Sequence, residues 1–460
     1  MTQSSLQKGG FRPSPTQIIV LGFALVIVAG AALLMLPISL APGKQPNLLE
    51  AFFTATSCVC VTGLVVVETG EHFSLFGQIV VITLIQIGGL GFMTLATLLL
   101  MALGKRITLK ERMIIQESLN ADGLQGLVRL IRRICAMVLI IELAGAVLLS
   151  TRMIPRFGLG RGIFYSIFHS VSAFCNAGFD VLGNGDSIVS LNGDPVVMFT
   201  LMALIVLGGL GFPVILDILK KRRFSKLTLH SKVVLVMTAV LLGGGFLFFL
   251  ASELGNPQSL GDPAMGWPKK LMNALFQSVT VRTAGFASLD QNALTPDGKV
   301  ISSFLMFLGA SPSSTGGGVK TTTFACVILV VIAALKGKTS VSVFKRRLEM
   351  GLVLRAIAIF AVALCAAAGL TLGLTALEPV GAEPRFTLEN LLFEATSALG
   401  TVGLSAGVTP LLSVGSKLLL MAAMFAGRVG PLTLTLALSR RLSRSSKVHI
   451  EYPEDRIIVG

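Results

Sequence analysis

Charge is scarce in this chain. Asp, Glu, Lys and Arg make up 13% of its 460 residues, about half of what water-soluble domains carry, and that excludes an ordinary soluble globular protein. Histidine is scarcer, with His72, His169, His230 and His449 placed singly, and the 6 cysteines fall mostly in apolar runs. Neither a disulfide framework nor a metal centre follows from such a set. Cys58 and Cys60 form a C-x-C with no further ligand beside it, so they read as small packing residues. No nucleophile elbow or dinucleotide fingerprint occurs, since "GGLG" at Gly88 to Gly91 lacks a third glycine and a preceding strand. An enzyme is not expected.

What the chain has is apolar length. Hydrophobic residues are 53% of it and its mean hydropathy is +0.82. Windows at 17–36, 76–103, 134–150, 196–216, 233–251, 300–335, 356–377 and 413–438 are nearly free of charge, and about 20 such residues cross a bilayer as a helix. Eight spans are expected. The start, "MTQSSLQKGGFRPSPTQ", is polar and offers no clear cleavage site before the first apolar run, which therefore reads as a retained span.

The net charge of +15 is distributed in a way that argues against nucleic acid. Basic clusters at 104–112, 129–133, 220–226, 336–347 and 440–447 fall between every second pair of spans. They mark the cytoplasmic side by the positive-inside rule, with both termini there in a multi-pass cell-membrane protein. Arg152, Arg156 and Arg161 form an exception, in a loop that must lie outside.

Internal repeats organise the rest. Aligning "ATSCVCVTGLVV", "SVSAFCNAGFDV", "SVTVRTAGFAS" and "ATSALGTVGLSAG" superimposes Gly63, Gly178, Gly285 and Gly403, each followed by Leu or Phe. A short apolar helical run precedes each glycine. A span interrupted by glycine follows each: "IGGLGF", "LGGLGF", "FLGASPSSTGGG" and "FAGRVG". The chain divides into four units at 1–130, 131–228, 229–347 and 348–460. The expected fold is an all-α polytopic membrane protein, four copies of helix, re-entrant pore helix, filter loop and helix around a central pore.

Bare backbone at membrane depth is tolerated only where it is buried in protein or lines a water-filled cavity. Four such loops around one axis would line a pore with main-chain carbonyls, which replace the water shell of a dehydrated monovalent cation. Glycine opens dihedrals closed to other residues. Each short helix would aim its negative C-terminal end at the pore centre.

At these motifs, over essentially its whole length, the chain resembles the superfamily of Trk, Ktr and HKT potassium transporters. Its eight spans and short N-terminus look most like the ion-conducting membrane subunit of the Ktr branch. The resemblance implies potassium as the transported ion and a filter made of Val61, Thr62 and Gly63, Asn176, Ala177 and Gly178, Thr283, Ala284 and Gly285, and Thr401, Val402 and Gly403. It implies a homodimer with one pore per protomer, a separate cytosolic nucleotide-binding ring subunit, and potassium uptake stimulated by sodium. No cofactor is implied in the chain itself, and lipid is the other expected contact. All four filter positions hold glycine; serine at one of them accompanies sodium permeation in this family, so the set favours potassium.

Two further places bear on gating. "GASPSSTGGGVKTTT", Gly309 to Thr323, puts a polar, glycine-rich insert at membrane depth. A simple kink or an outside loop is the plain alternative to the family's intramembrane gating loop, which would carry Gly316, Gly317, Gly318 and Lys320. Val319 between Gly318 and Lys320, with no strand before it, excludes a phosphate-binding loop. Arg428, alone in an apolar helix, is costly unless it faces protein or water. The family's matching arginine implies a barrier below the filter, the alternative being a structural donor to nearby carbonyls, and both place it near the loop.

Smaller expectations complete the reading. Glu68, Glu71, Asp180 and Asp290 follow the filters, either concentrating cations at an outer mouth or sitting there as ordinary solvated acids. Arg282 must point behind its filter segment, with Glu394 a candidate partner. Glu142 belongs near an interface rather than in a proton relay. The tail residues Ile457 to Val459 are expected to pack against another surface, such as a dimer mate. The main rival to a channel is a sodium-coupled symporter working by alternating access, and a scaffold docking through the basic loops is a third reading.

Overall fold

The computed structural model describes residues 15–91, 94, 126–183, 185, 187–338 and 340–430. The described residues are almost wholly helical, with one short hairpin, Ser342–Val343 paired with Arg346–Arg347. Four helices are long and apolar enough to span a bilayer on their own: α1 (Pro15–Leu34), α5 (Leu127–Phe157), α9 (Leu229–Glu253) and α13 (Met350–Leu377). Their outward faces are apolar, with Leu25, Ile140, Leu143, Val147, Leu247 and Leu372 all more than half exposed. Such faces suit lipid and not water.

Each long helix is followed by a shorter one that is buried toward its C-terminal end. These are α2 (Leu48–Val59), α6 (Leu159–Phe174), α10 (Trp267–Thr280) and α14 (Leu388–Gly400). The one-turn helix α3 (Thr69–His72) lies on the return path of the first unit. Then comes a second apolar helix: α4 (Leu75–Leu90), α7 (Pro195–Leu210) with α8 (Phe212–Lys221), α11 (Pro296–Phe307) with α12 (Thr321–Leu335), and α15 (Val414–Val429).

The start of each second helix is fixed by a side-chain cap. Ser74, Asp194, Thr295 and Ser413 accept hydrogen bonds from the backbone N–H groups of Gly77, Val196, Gly298 and Ser416 at 3.3, 3.0, 3.0 and 3.3 Å. Three of them end at a glycine. Gly91, Gly211 and Gly430 stop α4, α7 and α15 with φ of 79°, 92° and 92°, and α8 departs from α7 at 98°.

The glycine interruptions expected in the second span of each unit fall at or beside these helix ends. In the second unit the run turns at Gly211, which is left-handed and so stops the helix; in the third it is split by the segment between Phe307 and Thr321; α4 and α15 end at Gly91 and Gly430, where the described residues stop or nearly stop. The windows at 76–103 and 413–438, the basic clusters at 104–112 and 440–447, and the tail lie partly or wholly outside the described residues.

Asp194 also accounts for the charge exception. Arg156 Nη2 lies 3.1 Å and Arg152 Nε 3.7 Å from its carboxylate, so the basic residues at the end of α5 meet an acid at the start of α7. Arg161 has no such pairing among the described residues.

Candidate functional site

The site begins where the four short helices end. Residues α2, α6 and α14 close with the same cap: the N–H groups of Thr62, Ala177 and Val402 reach back to the carbonyls of Ser57, Ser172 and Ser397, each at 2.8 Å. This is the hydrogen bond of a Schellman cap, which needs a left-handed residue just past the helix. Val61, Asn176 and Thr401 supply it with φ of 55°, 58° and 52°. The third loop departs slightly, since Ala284 N–H bonds Thr280 O at 3.0 Å and Thr283 takes φ of 66°. A β-branched residue at positive φ is strained, so three of the four caps hold a conformation that surrounding packing must enforce.

Two residues further on, Gly63, Gly178, Gly285 and Gly403 are again left-handed. They close a ring. A Cβ on Gly63 would strike the Ala177 carbonyl. On Gly178 it would lie 2.7 Å from the Ala284 oxygen, on Gly285 2.5 Å from the Val402 oxygen, and on Gly403 it would strike the Thr62 carbonyl. Each glycine thus faces the carbonyl before the glycine of the next loop, in chain order and back to the first. No side chain fits at any of the four places without moving the neighbouring backbone.

Hydroxyls hold these loops from behind. Ser57 and Ser397 accept from the N–H of Gly63 and Gly403 at 3.0 and 3.1 Å. Ser172 and Thr280 donate to the carbonyls of Phe179 and Phe286 at 2.8 and 2.6 Å. The twelve residues from Val61 to Gly403 named from the sequence are therefore brought together on one small, fully buried ring.

The segment between α11 and α12 lies directly against this ring. Gly317 N–H donates to Thr401 Oγ1 at 3.1 Å. Thr315 Oγ1 donates to the Phe174 carbonyl at 3.1 Å and lies 3.3 Å from the Asn176 amide, which itself sits 3.1 Å from Thr283 Oγ1. A Cβ on Gly316 would collide with Thr283 Oγ1. Three of the four left-handed loop residues thus touch the insert.

Two cations fix its shape. Lys320 Nζ donates to the carbonyls of Gly316 and Gly317 at 2.8 and 3.4 Å. Arg428, in the last turn of α15, spreads its guanidinium between the Thr315 carbonyl and those of Gly88 and Gly89, where α4 ends. It therefore ties the insert to the break in the first unit, and the expectation that it packs by Gly316 to Gly318 holds to within one residue.

Other expectations fare differently. Arg282 and Glu394 do not pair. Both Glu394 oxygens are taken inside its own loop, by Ser405 Oγ and by Thr409 Oγ1 at 2.7 Å. Arg282 is buried, and its Nε, like Thr238 Oγ1, has no hydrogen-bond partner among the described residues. The two line a cavity of about 10 Å³, room for one water. Glu142 is buried and bonded to Gln86 Nε2 at 3.1 and 3.3 Å, with Cys175 Sγ 3.9 Å away. Asp180 and Asp290 accept from the N–H of Leu182 and Asn292 two residues on, at 3.2 and 2.9 Å.

Sequence reading missed the left-handed residue two places before each glycine and the hydroxyl behind it. Ser57, Ser172 and Ser397, each six residues ahead of its glycine, were the available signal.

Comparison with known proteins agrees with this architecture. Residues 12–449 match the family model described as TrkH, cation transport protein. The chain is 41% identical over 451 residues to the potassium/sodium uptake protein NtpJ of Enterococcus hirae, covering 98% of each chain. It is also 41% identical over 449 residues to the Ktr system potassium uptake protein B of Bacillus subtilis, covering 98% of this chain and 97% of the other. In fold it resembles the potassium transporter TrkH of Vibrio parahaemolyticus, with a TM-score of 0.72 at 19% identity over 95% of this chain and 87% of that one. With a family match across nearly its whole length, the chain belongs to the TrkH family of cation transport proteins.

Proposed function

We propose that the chain takes up potassium across the cell membrane through a channel-like pore whose filter is the ring at Gly63, Gly178, Gly285 and Gly403. The observation that carries this is the cyclic contact of the four loops, each glycine against the carbonyl preceding the next. Four left-handed caps followed by four left-handed glycines turn successive carbonyls toward a common axis, where they can take the place of an ion's water shell. The C-terminal ends of α2, α6, α10 and α14 converge on the same place and favour a cation there. In this reading the fold is four repeats of helix, pore helix, filter loop and second helix, with eight crossings when each broken second helix is counted as one.

The insert at Gly309 to Lys320 acts as the gate. It lies against the filter loops, and Lys320 and Arg428 place two positive charges on its carbonyls, a barrier to a cation leaving the filter. Potassium as substrate is in keeping with the names of both relatives, and the sodium in the name of the Enterococcus hirae protein gives sodium a part in transport, which we take to be that of an activator. One relative belongs to a multi-component Ktr system, which supports a separate regulatory subunit; we take that subunit to be a cytosolic nucleotide-binding ring, and a homodimer with a pore in each protomer completes the proposal.

The test is tracer flux into liposomes holding the purified protein, with potassium, rubidium and sodium compared for wild type and Gly285→Ser. Potassium and rubidium should enter in preference to sodium, and the serine, whose Cβ must displace the Val402 carbonyl, should raise sodium entry relative to potassium. Wild-type selectivity in a folded Gly285→Ser protein would mean that the ion path runs elsewhere. Downhill potassium flux with no sodium present would exclude obligatory symport.

A further inference from the structure

A large cavity lies on the other side of the insert from the filter. It measures about 860 Å³ and is enclosed by α8, the start of α9, α12, the hairpin and the start of α13, within the ~300–1,000 Å³ range of pockets that hold organic ligands. Its walls are mainly aliphatic, including Leu216, Leu329 and Ile359, and its inner end is closed by Pro312 and Ser313 of the insert itself. Leu352 on its wall is 50% exposed, so the cavity opens to the surface of the molecule.

The charged groups on its wall are unequal. Asp217 is fully engaged: its carboxylate takes Lys221 Nζ at 2.8 Å, the Thr228 N–H at 2.8 Å and Ser231 Oγ at 2.8 Å. Lys220 and Arg355, also on the wall, make no hydrogen bond or ion pair among the described residues. An apolar chamber with two uncommitted cations fits an amphipathic anion.

We infer that this cavity binds the acyl chain of an anionic phospholipid, with its phosphate held by Arg355 and Lys220 and its chain against Pro312 and Ser313 behind the insert. Moving an acyl chain from the bilayer to the cavity exchanges one apolar phase for another, so no hydrophobic gain drives it. The preference must come from the headgroup, as basic side chains at a membrane surface select anionic lipid. A zwitterionic lipid of the same chain length is then a poor substitute, and free phosphate, lacking the chain, is a poorer one. A lipid seated there would brace the insert in the position that contacts the filter. Binding stands on the cavity and its cations alone, whereas an effect on flux rests also on the gating role proposed above.

The experiment reads the two separately. Full-length protein is reconstituted in vesicles of phosphatidylcholine with or without phosphatidylglycerol, and lipid retained after extraction is counted by native mass spectrometry. Wild type should keep one phosphatidylglycerol per protomer in preference to phosphatidylcholine, with millimolar inorganic phosphate unable to displace it. Arg355→Gln should lose the preference, and Ala356→Trp, which fills the cavity from a wall position away from the ion path, should lose retention altogether. Potassium flux should change at least threefold between the two vesicle types for wild type and become insensitive in Ala356→Trp. Equal retention of the two lipids by wild type, or retention unchanged in both variants, would overturn the site. Retention lost as expected with flux insensitive throughout would keep the site and overturn its action on the insert.

Discussion

At the scale of single residues, the region around the glycine ring is held by polar contacts that the sequence makes look incidental. Glu394 is the instructive case. A carboxylate in a short apolar helix suggests a partner of opposite charge, and the sequence offers Arg282 as one candidate. The structure satisfies Glu394 with the hydroxyls of Ser405 and Thr409, from the loop that leaves the fourth filter segment. A carboxylate accepting two hydroxyls inside one loop staples that loop without a counter-charge. Glu394→Ala would take away the carboxylate acceptor of both hydroxyls, leaving them only the 3.4 Å contact between Thr409 Oγ1 and Ser405 Oγ and the Gly407 N–H on Ser405; each lost bond to a charged group is worth about 1.5–3 kcal/mol. We expect a loss of about 3 kcal/mol, read as a clear fall in the thermal unfolding midpoint in detergent, with Glu394→Gln close to wild type because an amide still accepts one of the bonds. Equal stability of Glu394→Ala and wild type would mean that the staple contributes nothing.

At the scale of elements, the four short helices and their glycines were legible because a repeated glycine ahead of a Leu or Phe has few competing explanations. The second helices were less so. Hydropathy alone cannot distinguish a straight span from one that turns 98° at Gly211, since the residues that flank the turn directly, Leu210 and Phe212 to Leu216, are apolar on both sides. Nor could spacing reveal that Asn176, Thr283 and Thr401 reach the insert, because that contact joins residues from three units. Arg428 shows what the insert's position implies. Its planar fork bridges Thr315 to Gly88 and Gly89, so α15, the insert and the end of α4 are locked as one body. A unit charge about 4 Å from a passing cation opposes it by about 4 kcal/mol at an effective dielectric of 20. Each ~1.4 kcal/mol removed from a barrier is tenfold in rate. Arg428→Ala should therefore raise potassium flux in liposomes by about tenfold or more with the potassium-to-sodium ratio unchanged. Arg428→Lys should fall between, because an ammonium lacks the fork. A folded Arg428→Ala protein with wild-type flux would leave the arginine a purely structural donor.

At the scale of the whole molecule, charge orients the chain in the bilayer. Basic residues gather at one end: Lys220 to Lys226 lie in the last turn of α8 and just past it, and Lys336 to Arg347 follow α12. Arg152 and Arg156 lie at the other end and are paired with Asp194 at the start of α7. The positive-inside bias counts Lys and Arg near span ends, so five clusters against one short run predict the orientation, even though the run is not erased by its acid. The pairing also gives those arginines a local reason to be where they are, since Asp194 caps α7 through the Val196 N–H at 3.0 Å as well. The end bearing Lys220 to Lys226 should thus face the cytoplasm. Arg223 and Ala382, both exposed in connecting segments at opposite ends, make the test direct. In intact cells a membrane-impermeant maleimide should label Ala382→Cys well above the wild-type background set by the native cysteines, and should label Arg223→Cys only after permeabilisation. The reverse pattern would turn the molecule over, put the insert outside the filter with respect to entering potassium, and remove the physical basis for calling it an inner gate.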